Sequence, residues 1–144
     1  MSAPTFTNDE LLEQAKGNAT AIMLVTLAYL KRTGGSIADW TRFAATALAP
    51  GWVEAANFDA LQLGRIWALN LASTGGAVQS LQGDAQRAEL VVQDWPSGEF
   101  LTALGLTRED ADPATDLVPL LTRSVGATAT CTRAGDTLTI VVTR

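Results

Sequence analysis

Up to Gly75-Gly76 the apolar positions of this chain recur every third or fourth residue, and beyond it they alternate, so helices are expected first and paired strands afterwards. Thr7-Asn8-Asp9-Glu10 is a capping box, in which a hydroxyl and a carboxylate satisfy reciprocal backbone donors, and it predicts a helix to about Arg32. Leu12, Ala15, Ala19, Ile22, Thr26 and Tyr29 keep helical spacing along it, Lys31 and Arg32 suit its C-terminal dipole, and Gly34-Gly35 stop it. Its apolar stretch Ala19 to Leu30 falls short of the about 20 residues a bilayer crossing needs, which makes it a core helix. Ser36-Ile37-Ala38-Asp39 forms a second box, opening a short helix with the stripe Trp40, Phe43, Ala44, Ala47 and Leu48 before Pro50-Gly51. Asn57 or Asp59 caps a third helix through Phe58, Leu61, Ile66, Trp67 and Leu71, apolar on more than one face and therefore expected to be central.

The alternation that follows predicts a hairpin from Ala77 to Gln82 and Arg87 to Asp94 across a Gly83-Asp84 turn. Trp95-Pro96-Ser97-Gly98 closes it, Glu99 to Leu104 is a short helix stopped by Gly105, and polar residues dominate through Asp112. Pro119 lacks an N–H and clashes with a preceding turn, so the next helix is expected to begin near Asp116 and to end at Gly126. A second hairpin, Ala127 to Thr132 and Thr137 to Thr143, closes the chain, with Leu138, Ile140 and Val142 on a core face opposite Thr137, Thr139, Val141 and Thr143. The expected class is α+β: a single domain over 1–144, its helical N-terminal half packed on an antiparallel or mixed sheet built from hairpins at about 77–94 and 127–143.

Composition narrows the chemistry. Ten basic residues against fifteen acidic give a net charge of −5, with no basic cluster, which argues against nucleic acid and against an anionic membrane surface as partners. Without histidine and with one cysteine, Cys131, the chain can build no His-based triad, no His-ligated haem, no ordinary zinc site and no internal disulfide. Met1 to Glu10 lacks the basic start and apolar run of a signal peptide, so a cytoplasmic location without cofactor is the expectation.

Val91-Val92-Gln93-Asp94-Trp95-Pro96 and Cys131-Thr132-Arg133-Ala134-Gly135-Asp136, in this order of elements, resemble the 4-vinyl-reductase-like small-molecule-binding domain over roughly Gly76 to Arg144. The resemblance implies a ligand-binding fold whose last hairpin carries a cysteine, a Gly-Asp turn and a second cysteine that together hold a metal. Here Cys131 and Gly135-Asp136 match, but Thr139 stands at the second cysteine's place, so the metal-binding pair is incomplete.

Four tryptophans, Trp40, Trp52, Trp67 and Trp95, offer large aromatic walls. Trp67 sits mid-helix among Leu63, Ile66 and Leu71, where ordinary packing competes with a pocket role, while Trp52 and Trp95 lie in connectors, where pocket mouths form. Arg65 could hold a carboxylate ligand bidentately, although a structural salt bridge or a charged head in solvent over a buried stem is the favoured reading. Cys131 lacks a neighbouring base to ionise it. The acidic run Glu109, Asp110, Asp112 and Asp116 lacks the alternating ligands of a calcium loop and reads as a solvated, helix-capping stretch.

The residues thus name a ligand pocket at Trp52, Arg65, Trp67, Trp95 and Cys131, with neither catalytic nor metal residues assigned. The leading expectation is a sensor or carrier domain enclosing a small apolar molecule between helices and sheet. Homodimerisation through Val- and Leu-rich surface of the first helix or the last hairpin is the alternative. A small hydrolase or reductase ranks third, because no acid–base pair stands at recognisable spacing.

Overall fold

In the computed structural model, which describes residues 4–144, the Thr7 hydroxyl accepts the Glu10 N–H while the Glu10 carboxylate accepts the Thr7 N–H, and helix α1 runs over Asn8–Thr33. The first three residues of the segment read for a targeting signal lie outside this part of the chain. Gly34, at φ +73° and so in the left-handed region, ends the helix, since its N–H can there reach back to the last turn without a Cβ clash. Helix α2 (Ile37–Leu48) leads into a 3-10 segment (Ala49–Asn57), and α3 (Ala60–Ser73) begins at Asp59 with a full capping box through Gln62. The first hairpin is β1 (Ala77–Gly83) and β2 (Arg87–Gln93), followed by α4 (Gly98–Ala103), α5 (Arg108–Ala111), a second 3-10 segment (Asp112–Asp116) and α6 (Leu117–Ser124). The second hairpin is β3 (Thr128–Ala134) and β4 (Thr137–Thr143).

The fold is α+β, as the change of period predicts, and the sheet is antiparallel throughout in the order β1-β2-β4-β3. The two hairpins join through β2 and β4, which set Ala88 opposite Val142, Leu90 opposite Ile140 and Val92 opposite Leu138. All six are buried on the face that α3 and α6 cover, while the threonines Thr137, Thr139 and Thr143 share the other face with Glu89 and Val91. Gly64 lets α3 lie close on this sheet: a Cβ there would stand 2.9 Å from Leu81 Cδ1 and 3.3 Å from Ala88 Cβ. No helix among the described residues is long and apolar enough to cross a membrane.

Three expectations need correction. The α1 stripe of Leu12, Ile22 and Tyr29 faces away from the core, and the helix instead buries Thr20, Leu24 and Leu27. Leucines 24 and 27 pack on Leu101, Leu106 and Ala111, contributed by α4 and α5 with the turn between them. Helix α2 likewise turns Phe43 out, 72% exposed, and buries Thr41 and Ala45, whose small side chains admit the close approach of α6. Buried threonines cost little here, because the hydroxyls of Thr20, Thr41 and Thr122 each donate to a carbonyl four residues back. Only half of the Ser36 box forms: Ser36 Oγ accepts the Asp39 N–H at 3.0 Å, but the Asp39 carboxylate pairs with Arg42. Within the polar stretch before Asp112, Thr107 and Asp110 build a capping box for the single turn α5, where Lys31 reaches across from α1 to Asp110 at 2.6 Å. The Lys31 ammonium and the Thr107 N–H hold the Asp110 carboxyl down at about 2.

Candidate functional site

Trp67 projects from α3 towards α6, where its indole N–H donates to Thr122 Oγ1 at 3.0 Å and that hydroxyl donates on to Val118 O at 2.7 Å. Trp52, on the 3-10 segment after α2, leans over it with ring centroids 4.7 Å apart and planes at 31°. An aromatic pair of this kind is a flat, stiff wall. Trp95 arrives from the opposite direction, directly after β2, and is steered by its neighbours. Asp94 bends the chain at φ +53°, its N–H donating to Asp136 O and its carboxylate accepting the Gly98 N–H, both at 2.8 Å. Arg108 donates to Pro96 O at 2.8 Å and Arg133 to Trp95 O at 2.9 Å, so two guanidinium groups clamp two successive carbonyls of the turn. The Trp95 indole N–H then donates to Thr74 Oγ1 at 2.8 Å, which fixes the ring against the end of α3.

These three rings line one cavity of about 230 Å³, with Leu71, Val118 and Leu121 as its floor and Leu48, Asn70 and Ser73 at its exposed edge. None of its lining side chains is ionisable. The Trp67 and Trp95 indole N–H groups and the Thr74 hydroxyl are already committed, the last donating to Asn70 O at 3.0 Å. The Asn70 amide donates to Ile66 O at 3.0 Å and the Ser73 hydroxyl to Asn70 O at 2.7 Å, which leaves the Asn70 side-chain carbonyl as an acceptor and the Trp52 indole N–H as a donor for an occupant. The site therefore offers shape, apolar contact and a few neutral hydrogen bonds, and nothing that would give or take a proton near neutral pH. Asn70 and Thr74 are missed by the sequence reading and Leu71 is read there only as packing around Trp67, although the three stand three, seven and four residues after Trp67 and so share its face of the helix. That spacing was the signal that could have found them.

Of the five expected pocket residues, the structure brings together Trp52, Trp67 and Trp95 and leaves Arg65 and Cys131 outside. Arg65 lies two residues before Trp67, which turns its side chain to the solvent side of α3, where it makes no ion pair among the described residues. Cys131 lies on the core-facing side of β3, half-buried, with Sγ 3.8 Å from Thr115 O. Burial, assisted by the Asp116 carboxylate and only partly opposed by Arg133, pushes the thiol up to about 12. The folded protein is accordingly expected to resist iodoacetamide at pH 8 and to be alkylated fully once unfolded in urea. Native labelling at the rate of a free thiol, followed by mass spectrometry, would show that the side chain is not held as described.

The two segments that carry the family resemblance lie against each other, since Asp94 bonds to Asp136 and Arg133 to the Trp95 carbonyl. The residues do not fit a metal of the kind the resemblance implies. Cys131 stands opposite Ile140 on the core face, whereas Thr139 stands opposite Thr132 on the outer face, so no side chain at 139 in this register could share an ion with the thiol. The chain matches no protein-family model, and no curated protein sequence matches it.

Proposed function

We propose that this chain is a small-molecule-binding domain of the sensor or carrier type, taking a neutral, largely apolar ligand between its helices at the end of β2. One observation carries the reading: tryptophans from a 3-10 segment, a helix and the end of a strand converge on a single uncharged cavity. What sets this concavity of about 230 Å³ apart is its lining of three tryptophan rings with leucine and valine side chains and no ionisable group. An engineered apolar cavity of about 150 Å³ accommodates benzene, and by that measure this one suits a substituted monocycle or a small bicycle. The absence of lining charge disfavours carboxylates and phosphates, which would be desolvated there without a counter-ion. The resemblance of the second half to a small-molecule-binding family supports the same reading and contributes no metal to it.

The test is a titration with toluene, 2-naphthol and, as a charged control, benzoate, followed through the four indole N–H resonances in a two-dimensional NMR spectrum. Trp52, Trp67 and Trp95 are expected to shift saturably with the neutral probes, while Trp40, which packs with Leu24 and Leu27 in a separate cluster, stays in place. Leu117→Phe, adding volume from α6, is expected to abolish the response. Shifts that never saturate, or that affect Trp40 equally, would overturn the reading.

A further inference from the structure

Helix α1 carries more apolar surface than the rest of the described residues covers. Leu11, Leu12, Ile22, Val25 and Tyr29 are each more than half exposed, on the side turned away from Thr20, Leu24 and Leu27. Leu12, Ala15, Ala19, Ile22, Thr26 and Tyr29 follow one another at alternating steps of three and four, the spacing of the seam between two paired helices. Residues 8–15 are all exposed, so the first two turns of this 26-residue helix rest on nothing among the described residues.

We propose that the stripe is covered by the same helix of a second copy, running antiparallel. An alignment centred between Thr20 and Ala21 sets Leu12 against the partner's Tyr29, Ala15 against the partner's Thr26 and Ala19 against the partner's Ile22. Every position of the stripe then meets another, as a two-fold axis requires. The small side chains of Ala15 and Ala19 let the two backbones approach near the axis. Charge selects this direction: Asp9 and Glu10 in the first turn come to the partner's last turn and the partner's Arg32, Lys31 being held by Asp110 of its own chain, whereas a parallel pair would place like charges together at both ends. Shape agrees with charge. Beside Val25 and Tyr29, towards Leu104 and Leu106, lies a groove of about 540 Å³, and the projecting Leu11 and Leu12 of the second copy arrive there. The projecting half of each helix thus fills the grooved half of the other.

The proposal is independent of the ligand pocket and is tested in two steps. Native mass spectrometry and sedimentation are expected to give twice 15.1 kDa. Ile22→Glu, at a side chain 70% exposed in the single chain, is expected to weaken the dimer by about a hundredfold, because the symmetric seam is struck twice, and to leave the folded circular dichroism and the probe response intact. Direction is read from disulfides: a mixture of Leu12→Cys and Tyr29→Cys chains cross-links, while Leu12→Cys alone does not, its two copies standing about 25 Å apart by the rise of the helix. Cys131, with its raised pKa, does not compete. A constant mass of 15.1 kDa overturns the proposal, as does a dimer insensitive to Ile22→Glu or a self-linked Leu12→Cys chain. A chain that stays monomeric and partitions onto phosphatidylcholine vesicles assigns the stripe to a lipid surface and overturns it equally.

Discussion

Replacing Trp67 by alanine is expected to lower the unfolding free energy by about 3–5 kcal/mol, the range for removing a buried aromatic ring from a core. The ring is 3% exposed, stacks on Trp52 and donates to Thr122, so its loss opens a void between α3 and α6 and leaves Trp52 without its wall. For a chain of this size the change corresponds to a fall in melting temperature of roughly 10–20 °C. Trp67→Phe separates the two contributions. It keeps most of the apolar contact and removes the indole donor, and because the Thr122 hydroxyl still donates to Val118 O, no buried donor is stranded. That variant is expected to lose only about 1–2 kcal/mol. Urea denaturation followed by circular dichroism measures both. An alanine variant within 1 kcal/mol of the parent protein would show that the ring does not join the helices as described.

The second large effect is expected at Arg133, which ties three distant segments together. From β3 its Nε donates to Asp112 at 2.5 Å at the start of the second 3-10 segment, and its Nη2 donates to the Trp95 carbonyl. Arg133→Met removes both bonds while retaining much of the stem, and is expected to cost about 2–3 kcal/mol. That is below the value for breaking a fully buried pair, because the Asp112 side chain is 39% exposed and regains water. Arg133→Lys should rescue little of this, since a single ammonium cannot span the carboxylate and the carbonyl as the planar guanidinium does. The loss should be coupled to the pocket. With one clamp gone, Trp95 is held through Thr74 and Arg108 alone, and the probe response of its indole N–H should weaken more than that of Trp67. A double-mutant cycle with Asp112→Ala reads the ion pair by itself. Coupling near zero, together with an unchanged Trp95 response, would remove Arg133 from the account of the site.

Much of the fold is legible because its signals are short in range. The Thr7 box, the glycine stop at Gly34 and the cap at Asp59 all involve atoms within about one turn, and each stands in the structure where the residues place it. The hairpins were readable for a similar reason: turn chemistry at Gly83-Asp84 and Gly135-Asp136 together with two-residue alternation specifies which residues share a face. The pocket was legible in part. Trp52 and Trp95 stand out as bulky rings in connectors, whereas the choice between a ligand contact and a solvated head at Arg65 is not legible, since an isolated charge in an apolar helix carries no sign of which way its face turns. The single turn α5 escaped notice because four residues are too few to show a period.

By itself, then, the sequence determined where elements start and stop, which class of fold they build, and which chemistries the chain lacks. Only the tertiary structure decided which side of α1 and α2 is buried, that Leu24 and Leu27 rather than Ile22 and Tyr29 meet the core, and that tryptophans from three elements surround one space. The division has a physical cause. Caps and turns are satisfied within a few residues of backbone, whereas the choice of buried face is made by competition among apolar surfaces for partners far away in the chain. A helix with two apolar faces does not announce which of them its own chain will cover.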